Sequence, residues 1–210
     1  MKWYWRLGFI LTLPISFLFL KVKNRHYLPK GKALIVCNHT SNFDPILISL
    51  ASLEELYFLA KKELFEVNRF FTWLIKAFNA ISLDRQGIDL TALKRVKEVF
   101  DRNKKLVLFP EGTRSKSGGL GIFKDGASFL ALKFGVPIVP CYIRGVRDSF
   151  IPWIVDRDLI KFGSGKKRFR KIEITFLRPL KIEISLKENL DKNLIKYITK
   201  KIEERFKNNG

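Results

Sequence analysis

Short apolar runs along the chain alternate with longer segments in which apolar positions recur every three or four residues. The runs are rich in β-branched residues, as buried strands are, and the periodic segments are typical of helices. Strands alternating with helices predict the α/β fold class: a single domain with a central, largely parallel mixed sheet flanked by helices. The predicted strands are residues 33–37, 56–60, 80–83, 106–109, 136–143 and 172–176, and the predicted helices begin near 44, 70, 89 and 123.

Three details refine this pattern. The aromatic-rich helix over residues 70–78 is expected in the core, although its apolar sides could also help line an acyl-chain pocket. The prolines in the strand over 136–143 favour an edge or strand-end position. Ser185 with Glu188 forms a capping box, which predicts a last helix that runs to about Phe206.

The first 25 residues have a different character. Residues 7–20 are apolar except for Gly8, Thr12 and Ser16, Pro14 interrupts them, and cations follow. A full membrane span needs about 20 apolar residues, and no small-residue cleavage site follows as a signal peptide would require. We therefore predict a membrane-anchoring helical segment over 1–25 that lies in the interface, followed by one domain over 26–210. A tilted span over residues 3–22 is the alternative.

The chain is strongly basic: 40 Lys and Arg stand against 20 Asp and Glu, a formal net charge of +20 over 210 residues. Such a charge attracts polyanions, either nucleic acid or an anionic membrane surface. The 19 Phe and 4 Trp would serve base stacking or lipid contact equally well. The two cysteines form neither a disulfide framework nor a metal-ligand spacing.

His39 follows the predicted strand over 33–37, and Asp44 lies five residues further on, at the predicted helix start. A histidine can take up a proton near neutral pH, and a carboxylate on its other ring nitrogen would fix the tautomer and stabilise the imidazolium. The spacing therefore suggests a catalytic dyad. Two structural alternatives stay open, since Asp44 could only cap the helix and His39 could be an ordinary loop histidine.

Residues 109–115, Phe-Pro-Glu-Gly-Thr-Arg-Ser, leave a second predicted strand. Gly112 permits close approach of the backbone to a ligand, and Arg114 offers a two-pronged guanidinium for phosphate. Arg85 ends another strand, and Lys124 lies near a helix start that favours anions. Because parallel strands end at one edge of a sheet, we expect these groups and His39 to face one crevice.

Four segments in this order resemble the motifs of the glycerolipid acyltransferases, and most of all those of the 1-acyl-sn-glycerol-3-phosphate acyltransferases. They are residues 38–44, 81–85, 109–115 and 136–140, and they span about half of the chain. The second motif of the family usually starts with Gly, whereas this chain has Asn79 there. The resemblance implies that 26–210 is an acyltransferase domain.

The resemblance also implies roles for residues. His39 would be the general base and Asp44 its orienting partner. The substrate-binding residues would be Asn38, Arg85, Glu111, Gly112, Thr113, Arg114, Ser115 and Lys124, with no metal and no cofactor.

The implied reaction moves a fatty acyl group from acyl-CoA or acyl carrier protein to the sn-2 hydroxyl of lysophosphatidate, giving phosphatidic acid for phospholipid biosynthesis. The other expected partner is the anionic lipid surface, at the cytoplasmic face of a bacterial inner membrane, and no nucleic acid is expected. Basic residues that include Lys166, Lys167, Arg168, Arg170 and Lys171 would hold the enzyme on that surface.

Three rival hypotheses remain at this point. The same chemistry could act on glycerol 3-phosphate or another lysophospholipid. Cys37 could form an acyl-enzyme, although a small buried hydrophobe is the simpler interpretation. A basic membrane- or nucleic-acid-binding module without catalysis would explain the charge, but it would not explain the ordered motifs at strand ends.

Overall fold

The computed structural model describes residues 3–115, 119–149, 156, 171–181 and 191–208. Within these ranges, seven strands form one sheet in the order β1-β7-β6-β2-β5-β3-β4. Every neighbouring pair is parallel except β6 with β7. The predicted α/β domain with a largely parallel mixed sheet is confirmed. The strands are β1 (Leu20–Lys23), β2 (Ala33–Cys37), β3 (Leu56–Lys61), β4 (Ala80–Leu83), β5 (Lys105–Leu108), β6 (Ile138–Arg144) and β7 (Ile172–Phe176).

Helices cover both faces of the sheet, and β2 shows why. All five β2 side chains are fully buried, as expected for a central parallel strand. Alternate residues point to opposite faces, so Ile35 packs with the helix after β2 while Leu34 packs with helices on the other side. The helices are α1 (Trp3–Phe19), α2 (Asp44–Ser52), α3 (Arg69–Ala77), α4 (Leu90–Asp101), α5 (Gly126–Phe134) and α6 (Lys192–Lys207), with short 3₁₀ turns at Arg25–Tyr27 and Lys62–Phe65.

For the strand with the prolines, the predicted edge position is wrong, because β6 lies between β2 and β7. The alternative, a strand-end position, holds for Pro137, which directly precedes the first residue of β6. Pro140 is tolerated in β6 because it lies where the hydrogen-bond ladder between β6 and β7 ends. The Pro140 carbonyl accepts from Leu177 N at 2.8 Å, just beyond the last residue of β7. In a strand, the N–H and the C=O of a residue face the same neighbour. The N–H that Pro140 lacks would therefore have faced β7, and the sheet loses one hydrogen bond at the end of the ladder.

The predicted core position of the aromatic helix is also wrong in part. Trp73 on α3 is 64% exposed. The helix connects β3 to β4, which is the last strand of the sheet. A helix over a sheet edge has fewer neighbours than one over the centre, so only part of its circumference is covered.

Asn79 precedes β4 with a φ of +55°, the left-handed conformation that glycine adopts most easily. Its buried side chain donates to Leu56 O at 3.2 Å. Asn79 therefore adopts the backbone conformation that a glycine at this position would allow.

The chain end differs from its prediction in one respect. The last helix begins at Lys192, with Asp191 as its N-cap accepting from Asn193 N at 2.9 Å. The predicted capping box of Ser185 and Glu188 lies outside the described residues, as do Lys166, Lys167, Arg168 and Arg170.

At the N-terminus, α1 runs directly into β1, which pairs with β7. The predicted anchoring segment therefore ends inside the sheet. Trp5 is buried and packs edge-on against Phe78, with ring centroids 5.7 Å apart. In the part of the chain that the structure describes, no helix has the length and apolar character needed to cross a membrane.

Asp89 caps α4 and also holds the loop before it. Its carboxylate accepts from Ala92 N and from Asp84 N, both at 2.9 Å. These bonds, that of Asp84 first, hold the pKa of Asp89 below its ordinary value. The cap therefore depends on the charged carboxylate.

Replacement of Asp89 by alanine should lower the free energy of unfolding by about 1 kcal/mol at pH 7. Because the folded-state pKa is depressed, this stabilisation is present above the ordinary value of about 3.9 and is lost as pH falls through the folded value. Urea unfolding of wild type and variant should show the difference shrinking below about pH 4. Asp101→Ala, at the opposite end of α4, is the matched control, and an undiminished Asp89 effect at pH 2 would contradict this account.

Candidate active site

The carboxyl ends of β2, β5, β3 and β4 meet at one edge of the sheet because these strands are neighbours and parallel. The loops that carry His39, Arg85 and Gly112 all leave this edge. Direct contacts join them: His39 N donates to Glu111 Oε1 at 2.9 Å, and Arg85 Nη1 donates to Gly112 O at 2.6 Å. The structure thus brings the three predicted strand ends into one crevice.

His39 and Asp44 form a hydrogen-bonded pair. Nδ1 of the imidazole lies 2.9 Å from Asp44 Oδ2. The His39 side chain is 18% exposed and the Asp44 side chain is fully buried. With Nδ1 engaged, Nε2 is the ring nitrogen that can exchange a proton with a substrate.

Asp44 accepts several hydrogen bonds from the loop before α2. Thr40 N and Ser41 N donate to its Oδ2 at 2.6 and 2.8 Å, and Thr40 Oγ1 donates to its Oδ1 at 3.0 Å. The helix begins at Asp44 itself, with Phe43 in the N-cap position. The carboxylate therefore turns back over the loop, and the alternative in which Asp44 caps the helix is wrong.

Three further contacts fix the position of His39. Its ring stacks on Phe109, with centroids 4.2 Å apart and planes 19° apart. The buried Glu111 binds His39 N with one oxygen and Gly121 N with the other, at 2.9 and 2.8 Å. Ser115 N donates to His39 O at 2.8 Å. Glu111 and Ser115 thus hold the backbone of the loop over residues 38–43, the histidine loop, which connects β2 to α2.

Two cations approach each other over Gly112, which has a φ of +72°. A Cβ added to this residue would lie 3.3 Å from Lys124 Nζ and 3.5 Å from Arg85 Nη1. Desolvation lowers the pKa of Arg85, and the Glu63 carboxylate opposes that shift. Convergent cations at a turn without a side chain are suited to binding a phosphate group.

Residues 19–144 match the model of the Acyltransferase family, which is more than half of the chain. The chain belongs to the acyltransferase family. The match contains the dyad, Arg85, the Gly112 turn and Lys124, so every predicted site residue lies within the family region of this acyltransferase.

Individual relatives agree with this assignment. A probable 1-acyl-sn-glycerol-3-phosphate acyltransferase of Mycoplasma pneumoniae is 32% identical over 190 residues, which cover 83% of this chain and 65% of that protein. The 1-acyl-sn-glycerol-3-phosphate acyltransferase of Helicobacter pylori is 40% identical over 114 residues, 52% of this chain and 47% of that protein. This acyltransferase thus spans about half to two thirds of the length of these relatives.

A solved structure shares the fold. The 1-acyl-sn-glycerophosphate acyltransferase PlsC of Thermotoga maritima superposes with a TM-score of 0.59 at 26% sequence identity, covering 93% of this chain and 76% of that chain.

The remaining predicted site residues of the acyltransferase have different surroundings. The Asn38 amide is satisfied by the β6 backbone: it donates to Ile143 O at 3.0 Å and accepts from Ile143 N at 2.8 Å. Ser115 Oγ donates to Gly119 O at 2.7 Å. Thr113 is exposed. Asn38 and Ser115 therefore hold the loops of the acyltransferase, while Thr113 is open to a ligand.

Arg114 lies beside a residue that the sequence analysis missed. Its Nη1 donates to Asp156 Oδ1 at 2.7 Å, and Asp156 is fully buried. Arg147 was also missed: its guanidinium donates to Ser115 O, and burial lowers its pKa. Neither residue belongs to a local motif, so only the partners acquired on folding identify them.

Cys37 lies fully buried in β2, next to Cys141 of β6. Burial raises the pKa of the Cys37 thiol well above its ordinary value, and Cys141 adds to the shift. A buried thiol that resists ionisation is a poor nucleophile, so the acyl-enzyme hypothesis is disfavoured.

Proposed function

We propose that the chain is a 1-acyl-sn-glycerol-3-phosphate O-acyltransferase. It would transfer a fatty acyl group from acyl-CoA or acyl carrier protein to the sn-2 hydroxyl of lysophosphatidate, forming phosphatidic acid. One observation carries the proposal: the His39–Asp44 pair, 2.9 Å apart, shares a crevice with Arg85 and Lys124, which converge over Gly112. The names of the relatives support the same substrate class.

The dyad supplies the base. His39 Nε2 removes the proton of the sn-2 hydroxyl while Nδ1–H donates to Asp44, whose charge stabilises the imidazolium. The hydroxyl oxygen attacks the thioester carbonyl, the tetrahedral intermediate expels the thiolate, and His39 returns the proton to the sulfur. Asp44 itself stays in place because four donors from three residues hold its carboxylate.

The cations position the acceptor. Arg85 and Lys124 bind the phosphate over Gly112, with Thr113 and Arg114 beside it. This placement leaves the sn-2 hydroxyl to reach His39 Nε2, and such positioning turns a bimolecular encounter into an oriented reaction. Glu111 contributes indirectly. It belongs to the turn over residues 109–115, the phosphate turn, and its carboxylate binds the backbone N–H of His39.

The N-terminal helix is the membrane attachment in this proposal, with 1–25 as the anchoring segment and 26–210 as the catalytic domain. Large apolar side chains of α1 are open to solvent: Trp3 is 74% exposed, Ile10 69%, Phe17 65% and Leu18 76%. Such a helix fits the interfacial zone of a bilayer, where apolar side chains lie among acyl chains and cations face lipid phosphates. Its lipid partner is an anionic surface at the cytoplasmic face of the inner membrane.

The test is acyl transfer in anionic vesicles with purified protein, acyl-CoA or acyl carrier protein as donor, and three acceptors: lysophosphatidate, glycerol 3-phosphate and monoacylglycerol. We expect phosphatidate as the main product. Lys124→Gln should raise the KM for lysophosphatidate about tenfold, because one charge-assisted hydrogen bond to phosphate is worth about 1.5 kcal/mol or more. The KM for monoacylglycerol, which lacks phosphate, should not change.

Lys133→Gln is the matched control, since Lys133 lies exposed near the C-terminal end of α5 against the Phe129 ring, whereas Lys124 precedes the N-terminus of that helix. A wild-type protein that is inert with every donor and acceptor, yet binds DNA in a salt-sensitive manner, would favour the non-catalytic module. Preference for glycerol 3-phosphate would keep the chemistry and change the acceptor.

A further inference from the structure

Asp156 is a buried carboxylate with no place in the motifs, and it lies between the two halves of the site. It is fully buried, and it accepts hydrogen bonds from two separate loops. Arg114 Nη1 donates to Oδ1 at 2.7 Å from the phosphate turn. From the histidine loop, Ser41 Oγ donates to Oδ2, and Asn42 N lies 3.2 Å from each oxygen.

Ser41 connects this carboxylate to the dyad. Its backbone N–H donates to Asp44 Oδ2 at 2.8 Å, and the same oxygen lies 2.9 Å from His39 Nδ1. A continuous path of hydrogen bonds therefore runs from Arg114 through Asp156, Ser41 and Asp44 to His39. Each link in the path involves a group that is buried or half-buried.

The opposite charges of Arg114 and Asp156 strengthen the hydrogen bond at the start of this path. An arginine–carboxylate bond is charge-assisted, and removing one member of a buried pair leaves the other without compensation. Asp156 also needs several donors around it to stay buried as an anion, and Arg114, Ser41 and Asn42 supply them. Arg114 is thus held in one orientation by a group that is itself fixed to the histidine loop.

We propose that Asp156 is a positioning residue that sets the Arg114 guanidinium, as a ligand of the acceptor phosphate, at a fixed distance from the His39 base. This inference rests on the proposed function and extends it to a residue outside the four motifs. Asp156 does not touch the reacting atoms; it acts through Arg114 on one side and through Ser41 on the other. Selectivity for a phosphate-bearing acceptor follows from this arrangement.

Asp156→Asn separates this role from simple loop support. Among the described residues, the partners of Asp156 are Arg114, Ser41 and Asn42, and each of them donates to it. An amide carries no charge and has one acceptor oxygen, so if that oxygen stays on Arg114 its nitrogen faces the backbone N–H of Asn42, which can only donate. Asp156→Glu keeps the charge, and Asp101→Asn removes a surface carboxylate as the matched control.

The experiment measures kcat and KM of each variant with lysophosphatidate and with monoacylglycerol, using one donor throughout. We expect Asp156→Asn to raise the KM for lysophosphatidate about tenfold and to leave that for monoacylglycerol unchanged, with Asp156→Glu recovering part of the loss. On an Arg114→Gln background, Asp156→Asn should add little to the KM, because the two residues act as a unit.

An equal rise in KM for both acceptors would overturn the inference while leaving the proposed function intact. The same holds if the effects of Asp156→Asn and Arg114→Gln on the KM were fully additive. A lower KM for lysophosphatidate would also overturn it, since Asp156 would then only neutralise Arg114. If Asp156→Asn does not fold, the same comparison with Asp156→Glu decides, because a longer carboxylate displaces Arg114 without removing the charge. A wild type inactive on both acceptors would overturn the proposed function and this inference with it.

Discussion

His39→Ala should reduce kcat for acyl transfer by about a hundred- to ten-thousand-fold, the range that a positioned general base supplies. In the proposed mechanism the imidazole is the base, and nothing in the alanine side chain can accept the hydroxyl proton. Because the His39 ring is 18% exposed and its backbone bonds to Glu111 and Ser115 are independent of the side chain, the fold should survive. Initial rates at saturating lysophosphatidate, with a thermal melt of the same sample, measure both effects.

His26→Ala is the matched control. It removes the other histidine of the chain, an exposed ring that contacts Tyr27 with centroids 4.4 Å apart, and it should leave kcat unchanged. Asp44→Asn should lower kcat by a similar order to His39→Ala, because an amide cannot stabilise the imidazolium as a carboxylate does. Full activity of His39→Ala, in a protein that is free of wild-type contamination, would refute the base assignment.

Gly112→Ala should weaken acceptor binding by about tenfold or more and also destabilise the turn. The backbone there has a φ of +72°, which costs an alanine about 1 to 2 kcal/mol relative to glycine. The added Cβ would lie 3.3 Å from Lys124 Nζ and 3.5 Å from Arg85 Nη1, so the two cations must give way. A higher KM for lysophosphatidate, measured together with a lower melting temperature, is the expected result.

Gly87→Ala tests whether any glycine in this region would behave in the same way. It follows Arg85 by two residues, and an added Cβ there meets no atom within 4 Å. Its kinetics should match those of the wild type. If Gly112→Ala raised the KM for monoacylglycerol as much as that for lysophosphatidate, the turn would support the loop without binding the phosphate.

Most of the sheet could be predicted from the sequence. Its strands are short apolar runs, and such a run indicates a buried strand without any knowledge of the strand that it pairs with. The run that forms β2 is wholly apolar, and all of it is buried. β1 was missed since Leu20–Lys23 carries two lysines and continues the apolar N-terminal stretch. Its pairing with β7 joins residues about 150 positions apart, and no local pattern encodes such a contact.

The prolines of the strand over 136–143 show where local rules fail. Proline at a strand position usually marks an edge, and this tendency gave the wrong place for β6. The neighbouring strand on that side, β7, decides how much stability the sheet loses through the missing N–H of Pro140. Here the ladder with β7 ends beside Pro140, so a central strand tolerates the proline.

For the site, the sequence by itself determined which chemical groups are present and at which strand ends they lie. His39, Asp44, Arg85 and Gly112 follow from short motifs and from the rule that parallel strands end at one edge, and Lys124 follows from its place near a helix start. The spacing of His39 and Asp44 already suggested their pairing, which the structure shows. The tertiary structure alone decided two others: Glu111 with the His39 backbone, and Arg114 with Asp156. The reason is physical, because a buried polar group takes its role from the donors and acceptors that folding brings within about 3 Å of it, and most of these are distant in the chain.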